Sequence, residues 1–181
     1  LLGIQFNRWD DKVYICNFGA SKIQRIAANF TETTDIEDVA SIPQIGAPAP
    51  RIVDNPDMSQ DTIHFGSNKF PAPNALTLDR HGNLYISDSF QGAIFRINSA
   101  YRCNGSCDVA TVKHDALLVT AGFPPFGANG LALNRGENKL FIANTGDNRI
   151  LRLDLKTGEL GAWAESIHGA DGVASYKGMI V

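Results

Sequence analysis

Apolar and polar positions alternate along short stretches of this chain, and the clearest stretch covers residues 73–88. It consists of an apolar run, a polar turn at residues 80–83 and a second apolar run. Alternation with a period of two indicates half-buried strands, and two such runs joined by a turn containing Gly and Asn predict a β-hairpin. We therefore expect residues 73–88 to fold as two antiparallel strands.

The same hairpin pattern recurs elsewhere in the sequence. The other copies cover residues 2–17, 128–144 and 170–181. A third apolar run follows the hairpin in three of the four copies, at residues 22–26, 93–97 and 149–153. Regular recurrence of such a unit is the signature of a repeat protein, and three strands with a more variable fourth form one blade of a β-propeller.

The repeats predict an all-β protein, with a single partial β-propeller domain over residues 1–181. Blade-like repeats are expected at about 1–45, 70–120, 125–165 and 168–181, with an insertion at about 47–70. Because propellers typically have about 4 to 8 blades, three blades and the start of a fourth do not close a ring. We expect an interior part of a larger propeller. The alternatives are a ring assembled from several copies and an unusual compact four-bladed form.

The composition fits an all-β fold and narrows the choice of partners. Hydrophobic residues make up 44% of the chain, and 17 Gly and 8 Pro suit short strands joined by tight turns. The net charge of -3 comes without a run of Lys or Arg, so we expect no nucleic-acid partner. No apolar stretch approaches the ~20 residues that span a bilayer, so no membrane span is expected. The sequence predicts no particular oligomeric state.

The three cysteines are expected to play two roles. Cys103 and Cys107 lie in a turn-rich insertion after the third strand of their repeat, where a small disulfide loop can close. Two reduced thiols are the alternative, and zinc is disfavoured because no second Cys or His pair of suitable spacing accompanies them. A disulfide would indicate an oxidising compartment, extracellular or periplasmic. Cys16 lies on an alternating strand and is expected to be a buried free thiol.

One position of the repeat points to function. The four copies have Leu2, Asn74, Asn129 and Asp171 there. Because blades are arranged radially, equivalent positions point to one central channel, and we expect Asn74, Asn129 and Asp171 to converge. Amide and carboxylate oxygens suit calcium, which takes about 6 to 8 oxygen ligands including waters. The alternative is that each side chain caps its own turn, as Asn and Asp before Gly often do.

These motifs resemble a known family. Asn74, Asn129 and Asp171, each followed by an apolar strand pair, are similar to motifs of the gluconolactonase, regucalcin (senescence marker protein) and luciferin-regenerating-enzyme family of six-bladed calcium-dependent propellers. The resemblance covers nearly the whole chain apart from the insertion. It implies a central calcium ion held by a Glu from the first blade, two Asn residues and an Asp. Asn74 and Asn129 match the Asn positions, and Asp171 matches the Asp.

The Glu of that family has no match in this chain, whose first repeat has Leu2 at the corresponding position. The order of the other matches implies that the chain starts at the second blade. The Glu would then lie upstream of Leu1.

The resemblance also implies an activity, the hydrolysis of a lactone or a related ester. Calcium, or another divalent metal, would polarise the carbonyl group while a carboxylate activates water. Asp171 is the carboxylate that we expect to act. His168, in the loop before the same repeat position, is a second candidate acid or base, and an exposed loop histidine is the alternative. The expected partner is a small-molecule lactone or ester.

Two other functions fit the same repeats. The strand pair at residues 82–88 is shared in style with NHL-type propellers, which would make the protein a non-catalytic module that binds a protein or a glycan. A strictosidine synthase-like enzyme would keep the fold and replace the metal with an acidic residue. The turns at residues 88–92 and 144–148 are expected to rim the same face, either contacting the site or serving only as tight turns. The aromatic residues of 123–127 are expected either to wall the pocket or to seal adjacent blades.

Overall fold

The computed structural model describes all of residues 1–181 and contains sixteen strands. Most of them form three four-stranded sheets, which we number blades 1 to 3. Blade 1 consists of β1 (Ile4–Asn7), β2 (Lys12–Asn17), β3 (Lys22–Ala27) and β4 (Glu37–Ser41). A separate hairpin follows, made of β5 (Arg51–Asp54) and β6 (Gln60–Ile63), within the insertion noted in the sequence.

The remaining elements continue the repeat. Blade 2 consists of β7 (Pro73–Leu78), β8 (Leu84–Asp88), β9 (Ala93–Ile97) and β10 (Ala110–His114). Blade 3 consists of β11 (Ala128–Leu133), β12 (Lys139–Asn144), β13 (Arg149–Asp154) and β14 (Leu160–Glu165), and a short hairpin of β15 (Ser175–Tyr176) and β16 (Met179–Ile180) follows. Three single-turn 3-10 helices occur at Phe18–Ala20, Ala100–Arg102 and Ala116–Leu118. None of the helices has the length and apolar character needed to cross a bilayer.

Within each blade the antiparallel strands follow one another in chain order across the sheet. The first strands of the blades, β1, β7 and β11, lie side by side, so the blades radiate from a common axis. This is the architecture of a β-propeller. The predicted all-β propeller is confirmed, whereas the total of six blades stays a prediction.

The hydrophobic pattern located most strands correctly. The third apolar runs at residues 22–26, 93–97 and 149–153 coincide with β3, β9 and β13. The last hairpin is shorter than its pattern, because only Ser175–Ile180 and Tyr176–Met179 are paired in it. Residues 170–174 instead meet blade 3, where the Gly130 N–H donates to the carbonyl oxygen of Asp171.

Blade 2 packs against both of its neighbours, because its side chains alternate between two faces. Along β8, Ile86 belongs to the cluster shared with blade 1, and Tyr85 belongs to the cluster shared with blade 3. All five residues of β8 are buried, because successive side chains point to opposite faces and both faces are covered. The hydrophobic core of this protein therefore lies between the blades.

The cysteines adopt the predicted arrangement. Cys103 and Cys107 form a disulfide, with their Cα atoms 5.7 Å apart. Arg25 of β3 donates to the carbonyl oxygen of Cys103 at 2.8 Å, which fixes the disulfide loop of blade 2 to blade 1. Cys16 is buried and free.

Candidate functional site

The structure brings together the three oxygen-bearing residues of the repeat position. Asn74 lies on β7, Asn129 lies on β11, and Asp171 precedes β15. All three line one cleft of about 470 Å³, which Leu2 also lines. The two Asn residues are each only 7% exposed, whereas Asp171 is exposed at the surface. Metal binding by this set stays a prediction.

A β-bulge directs each Asn side chain. In blade 2 the pairing of β7 with β8 shifts register between Pro73 and Leu76. In blade 3 the pairing of β11 with β12 shifts between Ala128 and Leu131. Each shift contains the Asn and the residue after it. Because a bulge interrupts the regular alternation and re-aims a side chain, the Asn faces the cleft and not the core between blades.

A hydroxyl group holds the amide of Asn74. Asn74 Nδ2 donates to Ser89 Oγ at 2.9 Å. Ser89 Oγ in turn donates to the carbonyl oxygen of Ala128 at 2.7 Å. Ala128 immediately precedes Asn129, so this contact ties the site residue of blade 2 to that of blade 3.

Blade 3 repeats the arrangement. Asn129 Nδ2 donates to Thr145 Oγ1 at 3.0 Å, and Thr145 Oγ1 donates to the carbonyl oxygen of Ala170 at 2.6 Å. Ala170 immediately precedes Asp171. Each Asn is thus held by a hydroxyl that also bonds the backbone just before the next site residue.

These hydrogen bonds determine which way each amide faces. A hydroxyl has one proton, and here that proton is donated to a backbone carbonyl, which can only accept. The hydroxyl must therefore accept from the amide, so the bonded amide atom is the nitrogen and Oδ1 points elsewhere. The Oδ1 atoms of Asn74 and Asn129 accept no hydrogen bond from the protein and are not sealed from solvent. Both oxygens are available to a ligand.

Close backbone contacts set the spacing between the site residues. The Gly3 N–H donates to the Asn74 carbonyl oxygen at 2.6 Å, and the Gly130 N–H donates to the Asp171 carbonyl oxygen at 2.8 Å. A Cβ atom at Gly130 would lie 2.4 Å from that oxygen of Asp171, closer than real Cβ atoms approach. Glycine at this position therefore permits the close approach of the two backbones.

The contact between blades 2 and 3 uses a side-chain bridge. Ala75 occupies the position at which the neighbouring repeats have Gly3 and Gly130. The Ala75 N–H donates to Ser87 Oγ at 2.9 Å, and Ser87 Oγ donates to the Asn129 carbonyl oxygen at 2.7 Å. The serine hydroxyl spans the wider gap that a methyl group requires.

The donor set of the cleft fits a hard cation. Asp171 is the only charged side chain in the cleft lining, which includes no His or Cys. Asp171 Oδ1 accepts a hydrogen bond from Asn129 Nδ2, and no protein donor bonds to Asp171 Oδ2. Nowhere in the chain do three His, Cys, Asp or Glu side chains form a metal-binding group. Two amide oxygens and one carboxylate suit calcium, with further positions left for water or substrate.

The other predicted residues take different places. His168 is exposed and does not line the cleft, and its role as an acid or base stays a prediction. Asp88, in the first rim turn, accepts hydrogen bonds from the N–H groups of Ala72 and Gln91. Burial raises the pKa of Asp88. Its carboxylate thus stabilises the turn and does not reach the cleft.

Blade 1 has apolar residues at both positions of the amide–hydroxyl pair. Leu2 stands at the register of the two Asn residues, and Phe18 is the first residue after β2, as Ser89 is after β8 and Thr145 is after β12. Phe18 packs edge to face against Phe90, with ring centroids 5.6 Å apart. One side of the cleft is therefore apolar.

Sequence reasoning predicted the three oxygen-bearing residues and the two rim turns, but it missed the specific role of the hydroxyls. A signal was present in the repeats. A hydroxyl residue, Ser89 or Thr145, follows the second strand in both blades that have Asn, and Phe18 follows it in the blade that has Leu2. The paired change of the two positions indicates that the residues act together.

Comparisons with known proteins support the fold. No protein-family model matches this sequence, and no curated protein matches it significantly. A solved protein from Lactobacillus plantarum is 13% identical, with a TM-score of 0.55 over 95% of this chain and 44% of that chain. A chain of the nidogen/laminin complex is 17% identical, with a TM-score of 0.50 over 99% of this chain and 70% of that chain. A gluconolactonase from Xanthomonas campestris is 13% identical, with a TM-score of 0.48 over 99% of this chain and 68% of that chain.

At these identities the likeness concerns the fold alone. The nidogen/laminin structure supports the propeller architecture, and the score of the gluconolactonase is too low to support an argument about activity. The chain spans between 42% and 70% of the length of the solved chains that it resembles.

Proposed function

We propose that this chain is part of a calcium-dependent hydrolase of lactones or related esters. The proposal depends chiefly on the two free amide oxygens, Oδ1 of Asn74 and Oδ1 of Asn129, which share a cleft with the Asp171 carboxylate. An Asn that only caps a turn bonds its own backbone. Here each amide nitrogen bonds a hydroxyl, and the amide oxygen is left unused. Such an arrangement favours a ligand site over a purely structural role.

Asn74, Asn129 and Asp171 are the residues that would hold the cation. When bound, calcium would supply the positive charge that polarises a carbonyl group and stabilises a developing oxyanion. Asp171 Oδ2, which has no protein donor, is the group that would accept a proton from the attacking water. The exposure of Asp171 gives water access to this oxygen.

Calcium titration by calorimetry, on the natural protein that contains this chain, tests the proposal. We expect saturable binding to a single site. The Asp171→Asn and Asn129→Ala substitutions should each weaken binding by at least about tenfold, which corresponds to ~1.4 kcal/mol. Asn29→Ala is the matched control, since Asn29 is an exposed loop residue outside the cleft, and it should bind calcium like the wild type.

Enzyme assays follow on the same proteins. Removal of calcium with a chelator should abolish lactone hydrolysis, and added calcium should restore it. A wild-type protein that binds no calcium would contradict the proposal and favour a non-catalytic propeller that binds a protein or a glycan.

A further inference from the structure

Granted the proposed hydrolase function, on which this step rests, we infer that the cleft takes lactones with apolar ring substituents and discriminates against polyhydroxylated sugar lactones. The side chains around the metal-binding oxygens support this substrate class. They fall into two groups. The polar side chains would coordinate the cation, and the remaining side chains are apolar.

The first observation is a cluster of four phenylalanines beside the cleft. Phe126 lines the cleft, and its ring stacks on that of Phe90, with centroids 6.0 Å apart. Phe90 contacts Phe70 at 5.4 Å and Phe18 at 5.6 Å. These residues come from three separate loops and the 3-10 helix after β2, and all four are half-buried. They present a continuous aromatic surface at the edge of the site.

The second observation is the composition of the cleft wall. Its only polar side chains are those of Asn74, Asn129 and Asp171. Its other side chains belong to apolar residues, including Leu2, Ala75 and Phe126. If the three polar groups hold the cation, no side chain that this chain contributes to the lining is left to bond the hydroxyl groups of a sugar ring.

The third observation concerns blade 1. It has apolar residues at the two positions that carry the Asn and its hydroxyl partner in blades 2 and 3. Leu2 replaces the amide, and Phe18 replaces the hydroxyl. Phe18 also belongs to the aromatic cluster. The apolar change in this repeat thus extends from the cleft wall to the aromatic surface.

Desolvation decides between the two substrate classes. A hydroxyl group that packs against this apolar wall loses bonds to water without gaining a side-chain partner, which is costly. An alkyl or aryl substituent gains from burial against Leu2 and Phe126. Stacking of a sugar ring on an aromatic face does not remove the penalty, because the ring hydroxyls still need polar partners at its edge.

A matched pair of six-membered lactones tests the inference on the natural protein with calcium present. The pair is δ-decalactone, which has a pentyl substituent, and D-glucono-δ-lactone, which has hydroxyl substituents. We expect kcat/KM to favour δ-decalactone by at least about tenfold, the discrimination that a single buried methylene can provide.

Three variants locate the source of the preference. Phe126→Ala should reduce the preference, mainly through a higher KM for δ-decalactone. Leu2→Asn changes an exposed residue of the cleft wall and should raise activity on the sugar lactone. This variant tests the apolar wall even if Phe126→Ala folds poorly. Phe30→Ala removes an exposed phenylalanine outside the aromatic cluster and should leave the preference unchanged.

The outcomes separate this inference from the proposed function. Calcium-dependent hydrolysis that favours D-glucono-δ-lactone would overturn the inference and leave the proposed function standing. If neither lactone is hydrolysed, the proposed function fails, and calorimetry with the same two compounds decides the remaining question. Saturable binding of δ-decalactone that Phe126→Ala weakens would still support an apolar ligand, whereas equal binding of both compounds, or binding of neither, would overturn it.

Discussion

At the residue scale, the site depends on two hydroxyl groups as well as on its three oxygen-bearing residues. Ser89 and Thr145 each accept from an Asn amide and donate to a backbone carbonyl. The direction of these bonds leaves Oδ1 of both Asn residues without a protein partner. Neither Ser89 nor Thr145 lines the cleft, yet each determines which amide atom is left free for a ligand.

Thr145→Val tests this role, with Thr145→Ser as the matched control. Valine keeps the shape of threonine but leaves the Ala170 carbonyl oxygen without its partner and leaves Asn129 Nδ2 with Asp171 Oδ1 as its one acceptor. We expect the free energy of unfolding to fall by about 1–3 kcal/mol, the cost of unpaired buried groups, and calcium affinity to fall as the amide loses its fixed orientation. Serine retains the hydroxyl and should retain most of the affinity. Urea unfolding and calorimetry measure the two effects, and equal affinity in the two variants would contradict the argument.

At the element scale, the blades meet at their first strands, which are bulged in blades 2 and 3. The bulges in β7 and β11 turn Asn74 and Asn129 towards the axis. A backbone hydrogen bond from Gly3 links the segment before β1 to β7, and one from Gly130 links β11 to the segment that contains Asp171. The geometry of the site is therefore a property of the contact between blades, and it is sensitive to small changes in that contact.

Gly130→Ala should disturb the site without changing any ligand. The new Cβ would lie 2.4 Å from the Asp171 carbonyl oxygen and 2.8 Å from the Val173 nitrogen, so the segment with Asp171 must move outwards. We expect calcium affinity to drop by about tenfold or more, since displacement of this kind costs on the order of 1–3 kcal/mol.

Gly161→Ala is the control for this substitution, because a Cβ at Gly161 meets no atom within 4 Å. It should bind calcium like the wild type. If Gly130→Ala also binds normally, with Asp171 in an unchanged environment by NMR, the close contact has no part in forming the site.

At the scale of the whole molecule, stability comes from the cores between blades. The cluster between blades 1 and 2 encloses Cys16 completely, together with Tyr14 and Phe95. Burial raises the pKa of the Cys16 thiol, and the negative charge of Asp88 adds to the effect. The folded protein therefore keeps this thiol protonated at pH values at which an exposed thiol ionises.

This difference predicts a loss of stability at alkaline pH. In the unfolded chain the thiol ionises near pH ~8.5, while in the folded protein it stays neutral. Above that pH the unfolded state binds fewer protons, so the free energy of unfolding decreases as the pH rises. The contribution is fully present below pH ~8.5 and is lost progressively above it.

The effect is measured by urea unfolding of the wild type and of Cys16→Ala between about pH 7.5 and about 9.5. This range brackets the pKa of an exposed thiol. The alanine variant is expected to be less stable at every pH because it leaves a cavity, but its stability should depend less steeply on pH. The range also stays below pH ~10, at which tyrosines ionise in the unfolded chain, whereas burial raises the pKa of Tyr14 in the folded protein to about 12. Equal slopes in the two proteins would show that Cys16 does not contribute.

The sequence by itself determined the repeat and its register. Period-two alternation specifies strands because successive side chains of a strand point to opposite faces, and it located β3, β9 and β13 almost to the residue. Recurrence of the unit then assigned Leu2, Asn74, Asn129 and Asp171 to equivalent positions. Both results follow from local patterns, which a sequence displays directly.

The tertiary structure alone decided what surrounds those positions. The bond from Thr145 to Ala170, the approach of Gly130 to Asp171 and the contact between Phe18 and Phe90 each join segments from different repeats or loops. The hairpin of β5 and β6 likewise has no counterpart in the repeat from which to predict it. Such contacts depend on how the blades are placed in space, and alternation along one strand carries no information about the distance to another.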